Sequence, residues 1–169
     1  GVILHRFKYS ETSLIVKIVT KEQGLISSIA RGVRKKKGGF LYQTGNIISF
    51  EYSKKANNSL YAIKDGTIDI PYFNIQESIV KNMIITFLCE ILLKSLEEEQ
   101  QELKLFDFVV SQFIFLDRTM SNEQTNEFHL FFLIKLTKHL GFYPENNYEE
   151  GKSFNLLKIT SQSLVFSGI

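Results

Sequence analysis

The sequence has a single cysteine, Cys89, no tryptophan, two prolines, and three histidines scattered at His5, His129 and His139. One thiol excludes an intramolecular disulfide or a cysteine-based zinc site within these residues and fits a reducing cytoplasm. No histidine pair has the spacing of a metal-binding helix. There is also no nucleophile elbow, phosphate loop or dinucleotide fingerprint, so no catalytic residue, metal or cofactor is expected and an enzyme is not predicted. No apolar run approaches the length of a membrane span. The first nine residues alternate polar and apolar where a signal peptide would be continuously apolar, which predicts a soluble, unexported protein of the cytoplasm. Acids are missing altogether between Glu22 and Glu51.

What is present is core-forming material: 44% hydrophobic residues, with fifteen Phe and seven Tyr. That is ample for packed cores, built on Phe, Ile and Leu. The formal net charge of +2 conceals an asymmetry. Residues 1–70 carry twelve Lys/Arg against five Asp/Glu, and residues 71–169 carry eight against thirteen. Such a split predicts separate roles for the two parts, with a polyanion held by the first.

Over residues 1–70 the pattern has period 2, is rich in β-branched residues and is broken by turns. It predicts strands near 2–9, 14–20, 25–30, 47–53 and 60–68. The links at 10–13 and 21–24 are short enough for hairpins, and Gly24 can supply a positive φ. A longer glycine-bearing connection, 32–45, and a link at 54–59 complete a small, partly open barrel of the OB type. From Pro71 the period changes to about 3.6. Asn74-Ile75-Gln76-Glu77 resembles a capping box, followed by a wide apolar face of Ile79, Val80, Met83, Ile84, Phe87, Leu88, Ile91 and Leu92. A second helix is expected over 102–116, with Leu105, Phe106, Val109, Val110, Phe113 and Leu116 inward. A third is bounded by Ser121-Asn122-Glu123-Gln124 and by Gly141 with Pro144, its core face being Phe128, Phe131, Phe132, Leu136 and Leu140. The tail, 152–169, reads as strand or loop. The fold class is therefore α+β: a five-stranded OB-fold barrel over 1–70, then a helical domain over 71–169.

The sharpest local feature is Arg31-Gly32-Val33-Arg34-Lys35-Lys36-Lys37-Gly38-Gly39, with five positive charges in seven residues. Like charges at this density persist in solvent or against a polyanion, where counterion release favours binding and makes it fall steeply with salt. The flanking glycines let the loop follow a sugar-phosphate backbone. Arg31, Arg34, Lys35, Lys36 and Lys37 are the candidate DNA contacts, with Lys54 and Lys55 next because their link borders the groove in many OB-folds. Arg6, Lys8 and Lys17 could extend the track. Phe7, Tyr9, Phe40, Tyr42, Phe50, Tyr52 and Tyr61 could stack on bases. Barrel aromatics are more often core, and alternation puts Phe50 and Tyr52 on one face with Ile48. Glu97, Glu98 and Glu99 read as a solvated acidic link rather than metal ligands, and Cys89 as a buried, inert thiol.

The order of these pieces resembles the RecO family. The resemblance is carried by Gly1-Val2-Ile3-Leu4, Tyr9-Ser10-Glu11-Thr12-Ser13-Leu14-Ile15-Val16, Thr20-Lys21-Glu22-Gln23-Gly24 and Ala30-Arg31-Gly32-Val33-Arg34. Further along, Glu90-Ile91-Leu92, Leu105-Phe106-Asp107 and Leu136-Thr137-Lys138-His139-Leu140-Gly141-Phe142-Tyr143-Pro144 extend it. It implies an OB-fold followed by a helical domain, and in many members a cysteine zinc module after the last helix. Residues 145–151 contain no cysteine, so that site is not carried over. The resemblance also implies binding of single- and double-stranded DNA, annealing of complementary strands, and work with RecR and single-stranded DNA-binding protein to load RecA. A groove for the tail of the single-stranded DNA-binding protein wants apolar pockets edged by cations, for which Lys135 and Lys138 are the candidates. A generic OB-fold nucleic-acid adaptor and a structural interaction domain are the competing readings.

Overall fold

The structure, a computed structural model, describes residues 1–33, 38–56, 58–119, 122–142, 152–154 and 166–168. Five strands come first: β1 (Val2–Lys8), β2 (Leu14–Thr20), β3 (Gly24–Ala30), β4 (Ile47–Ser53) and β5 (Tyr61–Ile70). They form a closed barrel in the order β1-β2-β3-β5-β4, an OB-fold arrangement. β1 to β3 make an antiparallel meander, and β5 enters beside β3 in parallel through Ser28↔Tyr61 and Ala30↔Ile63. The ring closes fully where a partly open one was expected. The seam is short: Val2 pairs with Ile47, and the Ile3 amide donates to the Asn46 carbonyl at 2.9 Å.

Alternation sends Ile3, Val16, Ile18, Ile26 and Ile48 into the barrel interior, where Tyr42 and Tyr61 join them. Val2, Leu4, Val19 and Leu25 are also buried although they alternate with that set, so the barrel's outer surface is covered in part. Helix α1 (Ile79–Ser95) does some of this covering, its Cys89 thiol reaching the Ile3 carbonyl at 3.7 Å. Gly45, at φ +88°, admits it closely: a Cβ there would lie 2.3 Å from Ile85 Cγ2.

α1 starts later than the capping-box pattern suggested. Its N-cap is Ser78, whose hydroxyl accepts from the Lys81 amide, while the Asn74 carbonyl closes a turn with the amides of Glu77 and Ser78. The buried stripe is Lys81, Ile85, Leu88, Cys89 and Leu92, whereas Ile79, Val80, Met83 and Phe87 are exposed. The expected face is thus rotated, because a lysine takes an inward position. Its ammonium is satisfied by the main-chain carbonyls of Asp117 and Thr119 at the end of helix α2 (Leu103–Arg118). Along α2, Leu105, Val109, Phe113 and Leu116 are buried as expected.

The chain divides into two compact units, Gly1–Thr125 and Asn126–Ile169. The first holds the barrel with α1 and α2. The second holds most of helix α3 (Asn122–His139) and an antiparallel pair, β6 (Lys152–Phe154) and β7 (Phe166–Gly168). Phe128, Phe132 and Leu136 of α3 are buried, while Phe131, expected inward, is 57% exposed. Among the described residues no helix is long and apolar enough to cross a membrane.

Candidate nucleic-acid interface

Strand register gathers cations at one end of the barrel. Lys8 lies opposite Leu14, Leu14 opposite Ala30, and Ala30 opposite Ile63, which brings Lys8, Arg31 and Lys64 to the same rim. All three are exposed. Arg6 extends the rim, and its Nη1 donates to the Gly39 carbonyl at 2.6 Å, tying the connection that follows β3 back onto β1. None of these four takes part in an ion pair among the described residues. Between Arg31 and Lys64 opens a cleft of about 530 Å³ with Val33, Leu41, Tyr42 and Ile63 in its walls. Asp65, at φ +47°, is the acid on its border. Arg34, Lys35, Lys36 and Lys37 lie outside the described residues.

The barrel aromatics divide by burial. Tyr42 and Tyr61 are core, and Phe50 and Tyr52 pack against it half-buried, which leaves them poorly placed to stack on bases. Phe7, Tyr9 and Phe40 are exposed, and Phe7 and Tyr9 flank Lys8. The Tyr52 hydroxyl donates to Glu22 at 2.7 Å; burial, followed by that carboxylate, raises its pKa.

A second group of cations lies on the outer face of β2 and β3 and is compensated. Lys17 and Ser27 are cross-strand partners, and both donate to Glu98 Oε1. These bonds, Lys17's first, hold the Glu98 carboxyl below the usual carboxylate range. Lys54 pairs with Glu99, which raises the ammonium's pKa, and sits 4.7 Å from the centre of the Tyr61 ring. Lys55 is exposed, its carbonyl accepting from the Asn58 amide at 2.9 Å. The acidic link between α1 and α2 is therefore not simply solvated. Glu98 and Glu99 dock on the barrel, across a sequence separation of 81 residues in the case of Lys17 and Glu98, which composition cannot reveal.

On α3, Lys135 and Lys138 are exposed, in helical register with exposed Leu130, Phe131 and Ile134. That stripe joins apolar and cationic side chains on one surface. No group of three or more His, Cys, Asp or Glu suited to a metal occurs among the described residues. Complete burial pushes the Cys89 thiol far up from its ordinary pKa.

Residues 1–71 match the family described as Recombination protein O N terminal, and residues 76–155 the one described as Recombination protein O C terminal. The chain is similar to the DNA repair protein RecO of Bacteroides fragilis, 34% identical over 168 residues, which is 97% of this chain and 69% of that protein. The corresponding protein of Phocaeicola vulgatus is 34% identical over 164 residues, 93% of this chain and 66% of its own length. That of Christiangramia forsetii is 31% identical over 161 residues, with the same two coverages, 93% and 66%. This chain thus spans about two thirds of the length of these relatives. With both parts matched and the barrel in place, the chain belongs to the RecO family, and its role lies in DNA repair and recombination.

Proposed function

We propose that the protein is a DNA-binding recombination mediator without a catalytic centre. It binds single- and double-stranded DNA, anneals complementary strands, and acts with RecR and single-stranded DNA-binding protein to load RecA. The observation that carries this reading is the rim formed by Arg6, Lys8, Arg31 and Lys64, four cations without ion-pair partners among the described residues, in a chain whose sequence runs on from Arg31 through a glycine-flanked basic stretch. Cations held in no ion pair suit a polyanion, whose condensed counterions are released on binding, and the one acid opposite them in strand register is Glu51, across from Lys64. In this reading Arg34, Lys35, Lys36, Lys37 and Lys55 also contact DNA, as does Lys54 once freed of Glu99. Annealing needs backbone charge neutralised while base edges stay free to test pairing, and phosphate contacts do the first without preventing the second. Exposed Phe7, Tyr9 and Phe40 offer stacking surfaces. The α3 stripe with Lys135 and Lys138 suits an acidic, apolar peptide such as the tail of single-stranded DNA-binding protein.

A salt titration of binding to single-stranded and duplex DNA tests the reading, together with annealing of strands coated by single-stranded DNA-binding protein. Steep salt dependence and annealing are expected. Reversing the charges of Arg34 to Lys37 should weaken binding and flatten the slope by about 0.7 to 0.9 for each phosphate no longer neutralised. Salt-dependent binding without annealing would leave a generic nucleic-acid adaptor. Affinity untouched by the reversal at low salt would leave an interaction domain with an incidental loop.

A further inference from the structure

The link between α1 and α2, residues 96–102, runs along the edge of β3, and its Glu98 side chain reaches over the outer face of β3 and β2 to Ser27 and Lys17. Its backbone is seated on the sheet: Glu98 bridges Leu25 in parallel, and the Glu99 amide donates to the Leu25 carbonyl at 2.9 Å. Gly24 lies directly under it, since a Cβ there would be 1.8 Å from the Gln100 carbonyl oxygen. Glu99 adopts φ +61°, a left-handed conformation unfavourable for a residue with a side chain. The main-chain part has a structural purpose. β5 pairs with β3 only from Ser28 to Ala30, and the link covers the edge that β3 would otherwise leave open at Leu25.

The carboxylates need a different explanation. Partly exposed ion pairs add little stability, so an edge cover with neutral side chains would serve as well. What Glu98 and Glu99 do is cancel charge, Glu98 against Lys17 with Ser27 assisting, and Glu99 against Lys54. Lys21, at the end of the same face, is likewise met by Asp107 of α2 at 3.3 Å. In OB-folds the face of strands 2 and 3, with the loop between strands 4 and 5, is where oligonucleotides bind. Lys17 and Ser27 belong to that face and Lys54 to that loop. The barrel thus carries two sets of cations: the rim set is held in no ion pair among the described residues, and the set on this face is met by acids of the chain itself.

We propose that residues 96–102 form an acidic strap that stands in for a nucleic-acid backbone on the β2–β3 face, so that a DNA strand binds there only when the strap lifts. The inference rests on the reading of the barrel as a DNA-binding module. The rim engages DNA first, and the phosphates then compete with Glu98 and Glu99 for Lys17 and Lys54. Because Glu98 occupies Lys17 and Ser27 and Glu99 occupies Lys54, phosphates reach these groups only by displacing the carboxylates.

The double variant E98Q/E99Q keeps the shape of the strap and removes its charge. In a salt titration with a fluorescein-labelled oligothymidylate, its affinity at low salt should rise about tenfold. The slope of log K against log salt should steepen by about 1.4, for two further phosphates neutralised on a single strand. Adding K17Q/K54Q should abolish that gain. Unchanged affinity and slope in the folded double variant, with the parent protein binding normally, would overturn the strap while leaving the DNA-binding reading intact. Absence of binding by parent and variant alike would remove the reading and the strap with it. If the variant fails to fold, hydrogen exchange on the parent protein decides: saturating oligothymidylate should accelerate exchange of the Glu99 amide, and unchanged or slowed exchange there overturns the proposal.

Discussion

Lys81 and Asp117, both buried, meet through the main chain: the lysine ammonium donates to the Asp117 carbonyl at 3.0 Å and to the Thr119 carbonyl at 2.5 Å. The Asp117 carboxylate is thereby left for other donors. It accepts from the amides of Phe73, Asn74 and Ile75 at 2.9 to 3.1 Å, and Asn74 Nδ2 donates to the Asp117 main-chain carbonyl. Together these bonds fasten the segment that leaves the barrel onto the end of α2.

Replacing Asp117 by alanine strands three amides and removes a charged acceptor, so stability should fall by about 3 kcal/mol. Asp117→Asn, which keeps the shape and loses the charge, should cost about 2 kcal/mol. Urea denaturation monitored by circular dichroism measures both. DNA binding well below the melting temperature should be unaffected, since Asp117 lies on neither cationic surface. A loss of a few tenths of a kcal/mol would contradict the anchoring role.

Gly45 predicts a second stability effect, through a different mechanism. Its φ of +88° disfavours any side chain, by about 1–2 kcal/mol, and a Cβ would strike Ile85 of α1. Gly45→Ala should therefore cost about 3 kcal/mol. Combining it with Ile85→Ala relieves the clash but not the backbone strain. The pair should accordingly be less destabilising than the two single changes added together, by about 1 kcal/mol. Strict additivity in a denaturant series would show that α1 does not rest on Gly45.

The strands were the most legible part of the chain. β2 and β4 match the sequence expectation at both ends, because β-branched and aromatic residues run between turn residues on each side. Helix positions were legible too, but faces were not: α1 turns Lys81 inward and leaves Met83 exposed. A lysine reads as polar until the carbonyls that receive it are known, and those belong to the end of another helix. The candidate site shows the same division. Arg31 was visible as part of a glycine-flanked basic run, while Lys64 entered only through the parallel pairing that brings β5 beside β3. Lys54 was a candidate from its position in the link between β4 and β5. Nothing local indicated that Glu99 would meet it.

Cys89 should be chemically silent in the native protein. Full burial raises its pKa, and the thiolate is the reactive form. A thiol reagent such as DTNB should label it only as fast as the protein opens, and immediately in denaturant. Rapid native-state labelling would mean that α1 detaches readily from the barrel.

The strap also makes a prediction about acid. Lys17 and Ser27 depress the Glu98 pKa below the ordinary value of 4.5, so the folded state favours the ionised carboxylate more than the unfolded state does. The resulting stability is fully present above pH 4.5 and is lost as the pH falls through the lower folded value. Because the pair is partly exposed, the contribution should be under about 1 kcal/mol, so it is best seen as a difference. Glu98→Gln should be slightly less stable than the parent at neutral pH, and the gap should close in acid as the parent's carboxylate takes up its proton. Urea denaturation of both proteins across this range reads the difference. A gap that widened in acid, or did not change with pH, would mean that Lys17 and Ser27 do not hold Glu98 as a carboxylate.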